Sequence, residues 1–506
     1  MSQSSAPAAG RRVLIVGADG LRPDLLDPAL MPAVARLAAG GVRFGDHHAV
    51  YPSHTRVVIS SLATGATPGR HGLVANTLLV PFATDDHVVD TANWQHLDAL
   101  DRHSDGRALL LPALGDLLAR HGGRVAVAGT GSAGSTLLWT RHDRGRIVNL
   151  GTAYGLADLY DLREKLGEVP PPARGDQRAR LAYATRAVTD LFLHDPCNRV
   201  LVLWLSEPDG SQHYFGLGSP EATANLRAVD ECLAVLLDAL DRRGLRDQFD
   251  VFFMSDHGHS TVAAHRTLRE YLSQAAADLG RALPPLATAS DYIYAQPGTA
   301  EPDTADLAPL VEWLLAQPWA GVVFGGRPDL AALPGVIPLE AVWNGATNAR
   351  RPLLAVSPRW SNDPSPFGVP GMVMALTPQS ALRASHGSAS PWDMHATLIA
   401  SGPDFREGVV STLPTGVIDL LPTVLTLLGL PLPEPVDGRV LWEALRHPAG
   451  EPGPASVETV EPARPAPGVP RARLAIARVG AASYLHGGLE AGASYPPATG
   501  SAPARA

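Results

Sequence analysis

The sequence predicts an α/β fold in which a mostly parallel central sheet is covered by helices on both faces. Two observations lead to this prediction. Short apolar runs rich in β-branched residues alternate along the chain with longer stretches of helical periodicity. Several of the apolar runs end in a polar loop that carries an aspartate. Alternation of this kind is typical of β-α-β units, whose parallel strands are buried between helices.

The elements follow one another in a regular order. RVLIVGAD reads as a strand ending at Asp19, and MPAVARLAAGG as a helix closed by glycine. The helix LLPALGDLLARHGG precedes the strand RVAVAGTG, and RVLVLWLSEPDG is a strand that runs into a loop with Asp209. The helix TANLRAVDECLAVLLDALDRRG, the strand FDVFFMSDHGHS with Asp256, and the late helix VIDLLPTVLTLLGL complete the pattern. Because such sheets bind ligands beyond the carboxyl ends of their strands, we expect the three aspartates to lie together.

The composition changes along the chain and predicts its organisation. Segments near 80–195 and 265–380 are richer in loops, and we expect them to form a cap over the site. After about residue 445 the chain is rich in Pro, Ala and Gly, which predicts a C-terminal tail over 446–506 with a disordered end. Within that tail, RARLAIARVGAASYLHGG is expected to form an edge hairpin over 471–488.

Charge and cysteine content exclude several classes of protein. The net charge of -9 over 506 residues argues against the basic surface of a duplex nucleic-acid binder. Two cysteines, Cys197 and Cys232, cannot build a disulfide framework. The first apolar run, Val13 to Val16, is too short for a signal peptide, and no stretch of about 18 apolar residues predicts a membrane span. We therefore expect a cytoplasmic protein that acts on a small molecule, and its oligomeric state stays open.

Four separated pieces of sequence carry acids and histidines. They are Asp19 in ADG, Asp209 and His213 four residues apart in DGSQH, Asp256 and His257 in DHG, and His386 in HG. Each piece alone has an ordinary explanation, such as a turn or a histidine in a loop. Together, three carboxylates and three imidazoles suit two divalent ions. Zinc is the natural choice because it accepts nitrogen and oxygen ligands, with manganese and iron as alternatives.

In this order and spacing the motifs resemble the alkaline phosphatase superfamily, specifically its nucleotide pyrophosphatase/phosphodiesterase branch. The matching motifs are ADG at 18–20, TG at 64–65, Pro68, HG at 71–72, DGSQH at 209–213, DHG at 256–258 and HG at 386–387. The resemblance spans residues 12–445 and implies a three-layer, alkaline-phosphatase-like catalytic domain. It also implies one metal held by Asp209, His213 and His386, and another held by Asp19, Asp256, His257 and a nucleophile.

The resemblance selects Thr55 as that nucleophile. The family places it nine residues before the Thr-Gly pair, which is Thr55, whereas Ser53 lies two positions too early. A rival alignment on Tyr51-Pro52 would put the nucleophile at Val50, which has no nucleophilic atom. The family's phosphate-binding asparagine lies 21 residues after the nucleophile, at Asn76. A phosphothreonine intermediate on Thr55 is therefore predicted, because coordination to a dication lowers the pKa of a hydroxyl.

Two positions depart from the family. Nucleotide-cleaving relatives place aromatic residues directly after the nucleophile and four residues before the metal-binding aspartate, where this chain has Arg56 and Leu205. Neither residue can stack on a base as an aromatic pair does. Arg56 is either a contact for a second anionic group of the substrate or a solvated arginine at a helix start.

The sequence thus predicts a two-metal hydrolase of phosphodiesters or nucleotide pyrophosphate-type bonds. A phosphonate or phosphomonoester hydrolase with the same metal ligands is the closest alternative. A sulfatase is disfavoured because it needs a cysteine where Thr55 stands, and a cofactor-independent phosphoglycerate mutase usually has a serine there. A non-catalytic metal-binding protein of the same fold is the alternative from another class.

Overall fold

The computed structural model describes residues 10–140, 144–152, 156–376, 381–468 and 471–489. The strands are β1 (Arg12–Ala18), β2 (Val42–Phe44), β3 (His47–His48), β4 (Thr77–Leu79), β5 (Val88–Asp90), β6 (Arg124–Gly129), β7 (Gly145–Asn149), β8 (Asn198–Leu205), β9 (Phe249–Met254), β10 (Ser260–His265), β11 (Leu286–Ala289), β12 (Tyr292–Ala295), β13 (Ala320–Gly325), β14 (Val336–Pro338), β15 (Leu354–Pro358), β16 (Trp360–Pro364), β17 (Pro370–Ala375), β18 (Ala384–Ser385), β19 (Leu398–Ser401), β20 (Val409–Ser411), β21 (Thr415–Gly416), β22 (Ala455–Val460), β23 (Arg473–Val479) and β24 (Ala482–Leu489).

The α-helices lie between these strands and cover them. They are α1 (Pro32–Ala39), α2 (Thr55–Thr64), α3 (Pro68–His71), α4 (Trp94–His103), α5 (Leu114–Ala119), α6 (Gly134–Leu137), α7 (Leu156–Leu166), α8 (Arg178–Arg186), α9 (Asp209–Phe215), α10 (Pro220–Arg242), α11 (Leu268–Asp278), α12 (Thr304–Leu315), α13 (Pro328–Ala331), α14 (Pro391–Met394) and α15 (Leu420–Leu427).

An eight-stranded sheet with the order β20-β2-β19-β9-β1-β8-β6-β7 forms the centre of the molecule. β1 pairs in parallel with both β8 and β9, and β6 pairs in parallel with β7 and β8. Only β19 runs antiparallel to its two neighbours, β9 and β2. The predicted α/β fold with a mostly parallel sheet is therefore confirmed.

Alternate residues of the central strands face two separate cores. Val13 and Ile15 of β1 pack with α2 and α15 on one face, whereas Leu14 and Val16 pack with α1, α8 and α10 on the other. Burial on both faces explains why β1 reads as a continuous apolar run rather than an alternating one. The strand ends are consequently fixed between two helical layers.

The predicted boundaries of the cap differ from the structure in one part. Within 80–195, β6 and β7 belong to the central sheet, because the apolar residues of RVAVAG are buried against β8. This segment is thus partly core and not wholly a cap. The 265–380 segment builds a separate sheet with the order β11-β12-β15-β13-β14, on which α11 and α12 pack.

The chain beyond residue 445 contains regular structure. β22, β23 and β24 form an antiparallel sheet, and β23 and β24 make a hairpin from Arg473 to Leu489, one residue past the predicted range 471–488. This sheet is held to the rest of the chain by buried residues, including Leu474, Ile476 and Tyr484. The predicted disordered end, residues 490–506, lies outside the described residues.

None of the helices in the described ranges is long and apolar enough to cross a membrane.

Candidate active site

Three parallel strands deliver the three predicted aspartates to one edge of the sheet. Asp19 follows β1, Asp209 begins α9 shortly after β8, and Asp256 follows β9. Backbone hydrogen bonds hold the loops together, since the Asp209 N–H donates to the Asp19 carbonyl at 3.0 Å. The Gly20 N–H donates to Asp256 Oδ1 at 3.1 Å. The carboxyl edge of the sheet therefore carries a preformed cluster of acids.

One group of donors consists of Asp19, Asp256 and His257, with Thr55 beside it. His257 Nε2 lies 3.2 Å from Asp256 Oδ2 and 3.5 Å from Asp19 Oδ1. Thr55 Oγ1 lies 3.2 Å from the same imidazole nitrogen. All four residues are buried. The structure thus brings together the four residues that the sequence assigned to one metal.

The second group is centred on Asp209 Oδ1. The Nε2 atoms of His213, His386 and His259 lie 3.2, 3.5 and 3.8 Å from that oxygen. His213 and His386 were predicted, whereas His259 was not. The sequence signal that could have identified His259 is its position two residues after His257 in DHGH. The four donor atoms lie within 4.8 Å of one another, as one ion would require.

The opposite nitrogen of each of these histidines is anchored. Nδ1 of His213, His257 and His386 lies 2.7–2.8 Å from a backbone carbonyl, those of Ala384, Gly258 and Ser53 respectively. His259 Nδ1 lies 2.7 Å from Gln212 Oε1. Because an oxygen of this kind only accepts, Nδ1 carries the proton and Nε2 is left with its lone pair toward the acids. This outer hydrogen bonding is typical of metal-binding histidines.

The carboxylates of the site are buried close together, and their negative charges are unfavourable there unless a cation is bound. Burial, together with the charges of Asp256 and Asp209, raises the pKa of Asp19 well above its ordinary value. Burial also raises the pKa of Asp256. Buried acceptor atoms have no hydrogen-bond partner among the described residues, namely Asp19 Oδ1, Asp209 Oδ1, Asp256 Oδ2 and His259 Nε2. Orphaned oxygen and nitrogen lone pairs that converge in this way fit two divalent cations.

Thr55 stands at the entrance to the helix α2. As the first residue of a ten-residue helix, it lies next to backbone N–H groups that have no partner within the helix. The Arg56 N–H donates to Asn76 Oδ1 at 3.0 Å, which fixes the orientation of the Asn76 amide and leaves its Nδ2 as a free-standing donor group. Thr55 and Asn76 both line a cavity of about 660 Å³.

Ser53 and Val50, the alternative positions for the nucleophile, make their contacts away from the cavity. The Ser53 hydroxyl donates to the Ser388 carbonyl at 3.0 Å and accepts from the Gly387 N–H at 3.0 Å. Val50 is packed in the apolar core. Neither lines the cavity.

Arg56 and Leu205 occupy different environments. Arg56 lines the cavity, and its Nε donates to Thr91 Oγ1 at 3.3 Å. Burial lowers the pKa of Arg56, although Asp90 acts in the opposite direction. Leu205 is fully buried in β8 and does not line the cavity. Arg269 and Ser290, from the segment around the second sheet, also line the cavity. Among the lining residues that the structure describes, none is Phe, Tyr or Trp.

Comparison with known proteins gives consistent matches. The family model for type I phosphodiesterase / nucleotide pyrophosphatase matches residues 13–309. A venom phosphodiesterase of Macrovipera lebetinus is 23% identical over 271 residues, covering 52% of this chain and 27% of that protein. The human ectonucleotide pyrophosphatase/phosphodiesterase family member 7 is 35% identical over 63 residues, 12% of this chain and 14% of that protein.

A solved structure supports the same fold. Murine ectonucleotide pyrophosphatase / phosphodiesterase 5, an inactive threonine-to-alanine variant in complex with AMP, has a TM-score of 0.60 to this chain at 20% identity. The superposition covers 86% of this chain and 100% of that one. The venom relative, in contrast, is matched over only about a quarter of its length, 27%.

Proposed function

The chain belongs to the type I phosphodiesterase / nucleotide pyrophosphatase family, and from this premise we propose that it hydrolyses phosphodiesters or nucleotide pyrophosphate-type bonds. The observation that carries the proposal is the position of Thr55 Oγ1, 3.2 Å from His257 Nε2 and open to the cavity. A hydroxyl held between a cluster of metal-type donors and a substrate-sized cavity is in the position that a nucleophile requires.

Two sets of residues would hold the metal ions. Asp19, Asp256, His257 and Thr55 would bind one ion. Asp209, His213 and His386 would bind the other, with His259 as a fourth donor. When bound, two divalent ions, most simply zinc, lower the pKa of a coordinated hydroxyl and offset the negative charge of the phosphoryl group.

Residues of the chain carry out attack on phosphorus and stabilise the charge on the phosphoryl oxygens. Thr55 Oγ1 attacks phosphorus, the bond from phosphorus to the leaving oxygen breaks, and a phosphothreonine ester forms. Water then cleaves the phosphorus–Oγ1 bond and restores the threonine. Asn76 Nδ2 and the N–H groups at the start of α2 donate to phosphoryl oxygens where charge accumulates. The inactive threonine-to-alanine variant of the murine neighbour, in complex with AMP, supports this role of a threonine.

The walls of the cavity support a substrate with a second anionic group. Arg56, the residue after Thr55, lines the same cavity and would offer its guanidinium to the substrate, where the resemblance leads us to expect an aromatic residue in nucleotide-cleaving relatives. A guanidinium pairs with a second phosphate or a carboxylate by two parallel hydrogen bonds. The lack of aromatic side chains among the described lining residues also keeps a phosphonate or a phosphomonoester as the second candidate substrate.

A paired assay tests the proposed function. Metal-quantified protein is incubated with bis(4-nitrophenyl) phosphate, 4-nitrophenyl phosphate and a 4-nitrophenyl phosphonate ester, with and without chelator. We expect turnover of the diester that is lost on chelation and restored by zinc. Thr55→Ala is expected to keep its metal and lose turnover, whereas Thr55→Ser retains a hydroxyl and a measurable rate.

Three results would change the conclusion. Equal activity of Thr55→Ala and the unaltered protein would exclude Thr55 as the nucleophile. Turnover of the phosphonate ester alone would favour the second candidate. Bound metal without turnover of any of the three substrates would favour the non-catalytic alternative. Ser60→Ala is the matched control because it removes a buried hydroxyl from the same helix, one that donates to the Arg56 carbonyl at 2.8 Å and does not line the cavity.

A further inference from the structure

The guanidinium of Arg56 has no acid partner among the described residues. Its one side-chain hydrogen bond there runs from Nε to Thr91 Oγ1 at 3.3 Å. Asp90, the acid whose charge acts most on Arg56, accepts from the Ala92 N–H at 2.9 Å and forms no ion pair with Arg56. Because Arg56 lines the cavity directly after Thr55, Nη1 and Nη2 keep their N–H donors for a ligand. An anion that enters the cavity would pair this cation.

Thr91 is a fully buried residue at the end of a hairpin beside the site. It follows β5, in which Asp90 is paired with Thr77 of β4, so Thr91 and Asn76 face each other at the next position. The Thr91 N–H donates to the Asn76 carbonyl at 3.0 Å, and the Thr91 hydroxyl donates to the same oxygen at 2.7 Å. Two polar groups of one residue thereby fix the backbone of Asn76.

The hydroxyl of Thr91 has a defined direction. A carbonyl oxygen only accepts, and the Nε–H of an arginine only donates. The hydroxyl proton therefore points to Asn76, and a lone pair points to Arg56. The Arg56 N–H in turn donates to Asn76 Oδ1 at 3.0 Å. These three residues thus form a closed ring of hydrogen bonds, which holds the guanidinium in a fixed relation to the amide proposed to bind the phosphoryl group.

A glycine makes room for the aliphatic part of Arg56. Gly134 is the first residue of α6, and a Cβ at this position would lie 2.6 Å from Arg56 Cγ and 2.4 Å from the Thr91 carbonyl oxygen. Both distances are too short for van der Waals contact, so only glycine lets α6 approach both residues. The stem of Arg56 is therefore confined by α6, and its Nε is held by Thr91. A side chain ordered in advance loses less conformational freedom when it binds a ligand.

We propose that Thr91 is a positioning residue of a second-anion subsite, in which Arg56 binds a carboxylate or phosphate of the substrate while the scissile phosphoryl group lies at Thr55. With Nε held by Thr91, Nη1 and Nη2 present a pair of donors that suits two oxygens of such a group. The proposal rests on the proposed function, since it takes the phosphoryl position from Thr55 and Asn76. It adds a residue that sets the choice of substrate without touching the substrate.

Two ligands that differ in one anionic group test the proposal. 3-Phosphonopropionate and propylphosphonate have the same phosphonate group and chain length, but only the first carries a carboxylate. Both are titrated calorimetrically into the zinc-loaded full chain, so no turnover is required. We expect 3-phosphonopropionate to bind about 10- to 100-fold more tightly, because hydrogen bonds between charged groups in a partly closed site contribute about that factor.

Variants of Thr91 separate positioning from packing. Thr91→Val retains the branched shape and removes the hydroxyl, so the preference for 3-phosphonopropionate should fall about 10-fold, whereas Thr91→Ser should retain most of it. A change at Asn76 would weaken both ligands alike and cancel in this ratio. In an Arg56→Ala background, Thr91→Val should cause no further fall, because Thr91 acts through Arg56. Ser60→Ala is the matched control, since it removes a hydroxyl that donates to the Arg56 carbonyl and should leave the preference unchanged.

A crystal structure of the unaltered protein with 3-phosphonopropionate covers the case in which a variant does not fold. The carboxylate should lie on Nη1 and Nη2 of Arg56, with Nε still on Thr91. Equal affinities of the two ligands, a carboxylate bound away from Arg56, or an unchanged preference in folded Thr91→Val would overturn the proposal. Diester turnover is measured in parallel. A protein that keeps the preference but lacks turnover would contradict the hydrolytic function alone, and turnover without the preference would contradict the subsite alone.

Discussion

Asn76 offers the sharpest test of how the site handles phosphoryl charge. Its Oδ1 accepts from the Arg56 N–H at 3.0 Å, so Nδ2 is the atom of the amide that the proposed function assigns to the phosphoryl oxygens. Asn76→Ala removes both contacts. Asn76→Asp retains an oxygen for the Arg56 N–H but replaces the Nδ2 donor with a negatively charged acceptor. The pair of variants therefore separates the positioning of the side chain from its hydrogen bond to the substrate.

The magnitude follows from the kind of bond that is lost. Removal of one donor to an oxyanion in a water-poor site costs about 10²–10³-fold in kcat, or about 2.7–4 kcal/mol. We expect Asn76→Ala to reduce kcat/KM for the diester by about that factor. Asn76→Asp should reduce kcat/KM for the diester further, because the introduced negative charge repels the phosphoryl oxygens.

Steady-state kinetics on zinc-loaded protein measure both variants. Metal content and thermal unfolding are recorded on the same samples to show that the fold and the ions are retained. If Asn76→Asp were as active as the unaltered protein, Nδ2 would not donate to the substrate, and the proposed role of Asn76 would be refuted.

Three further predictions concern binding and stability. His259→Ala should weaken zinc binding at the Asp209 group by about 10- to 100-fold in a competition titration. The control His71→Ala, which alters a buried histidine that pairs with Ser61, should leave zinc binding unchanged. Arg56→Ala should lower kcat/KM about 10-fold more for a pyrophosphate-type substrate than for a simple diester, whereas equal losses would make Arg56 merely structural. Burial, with Asp393 nearby, raises the pKa of Asp291 to about 7, so the unfolded chain loses this proton first as the pH rises. Asp291→Asn should therefore gain roughly 2–3 kcal/mol over the unaltered protein between pH 5 and pH 7 in denaturant unfolding, and a constant difference would contradict this.

The sequence predicted the central architecture because its signals are local. Asp19, Asp209 and Asp256 each lie within a few residues of the end of an apolar strand, and parallel strands bring their carboxyl ends to one edge. β6 and β7 were harder to place, because the composition of 80–195 is rich in loops although two of its strands are central. His386 alone had an ordinary explanation as a histidine in a loop, because its place in the site depends on the pairing of Ser385 with Ser260 between β18 and β10, which no local pattern shows.

The two residues that the sequence did not reveal differ in kind. His259 stands in a motif that was already assigned, and only its side-chain direction, fixed by Gln212, brings Nε2 to Asp209. Thr91 stands in a segment predicted as part of a cap, and only the approach of the β4-β5 hairpin to α2 brings its hydroxyl to the Arg56 guanidinium. Local sequence patterns indicate the direction of a side chain poorly, and they do not indicate the packing of distant elements at all.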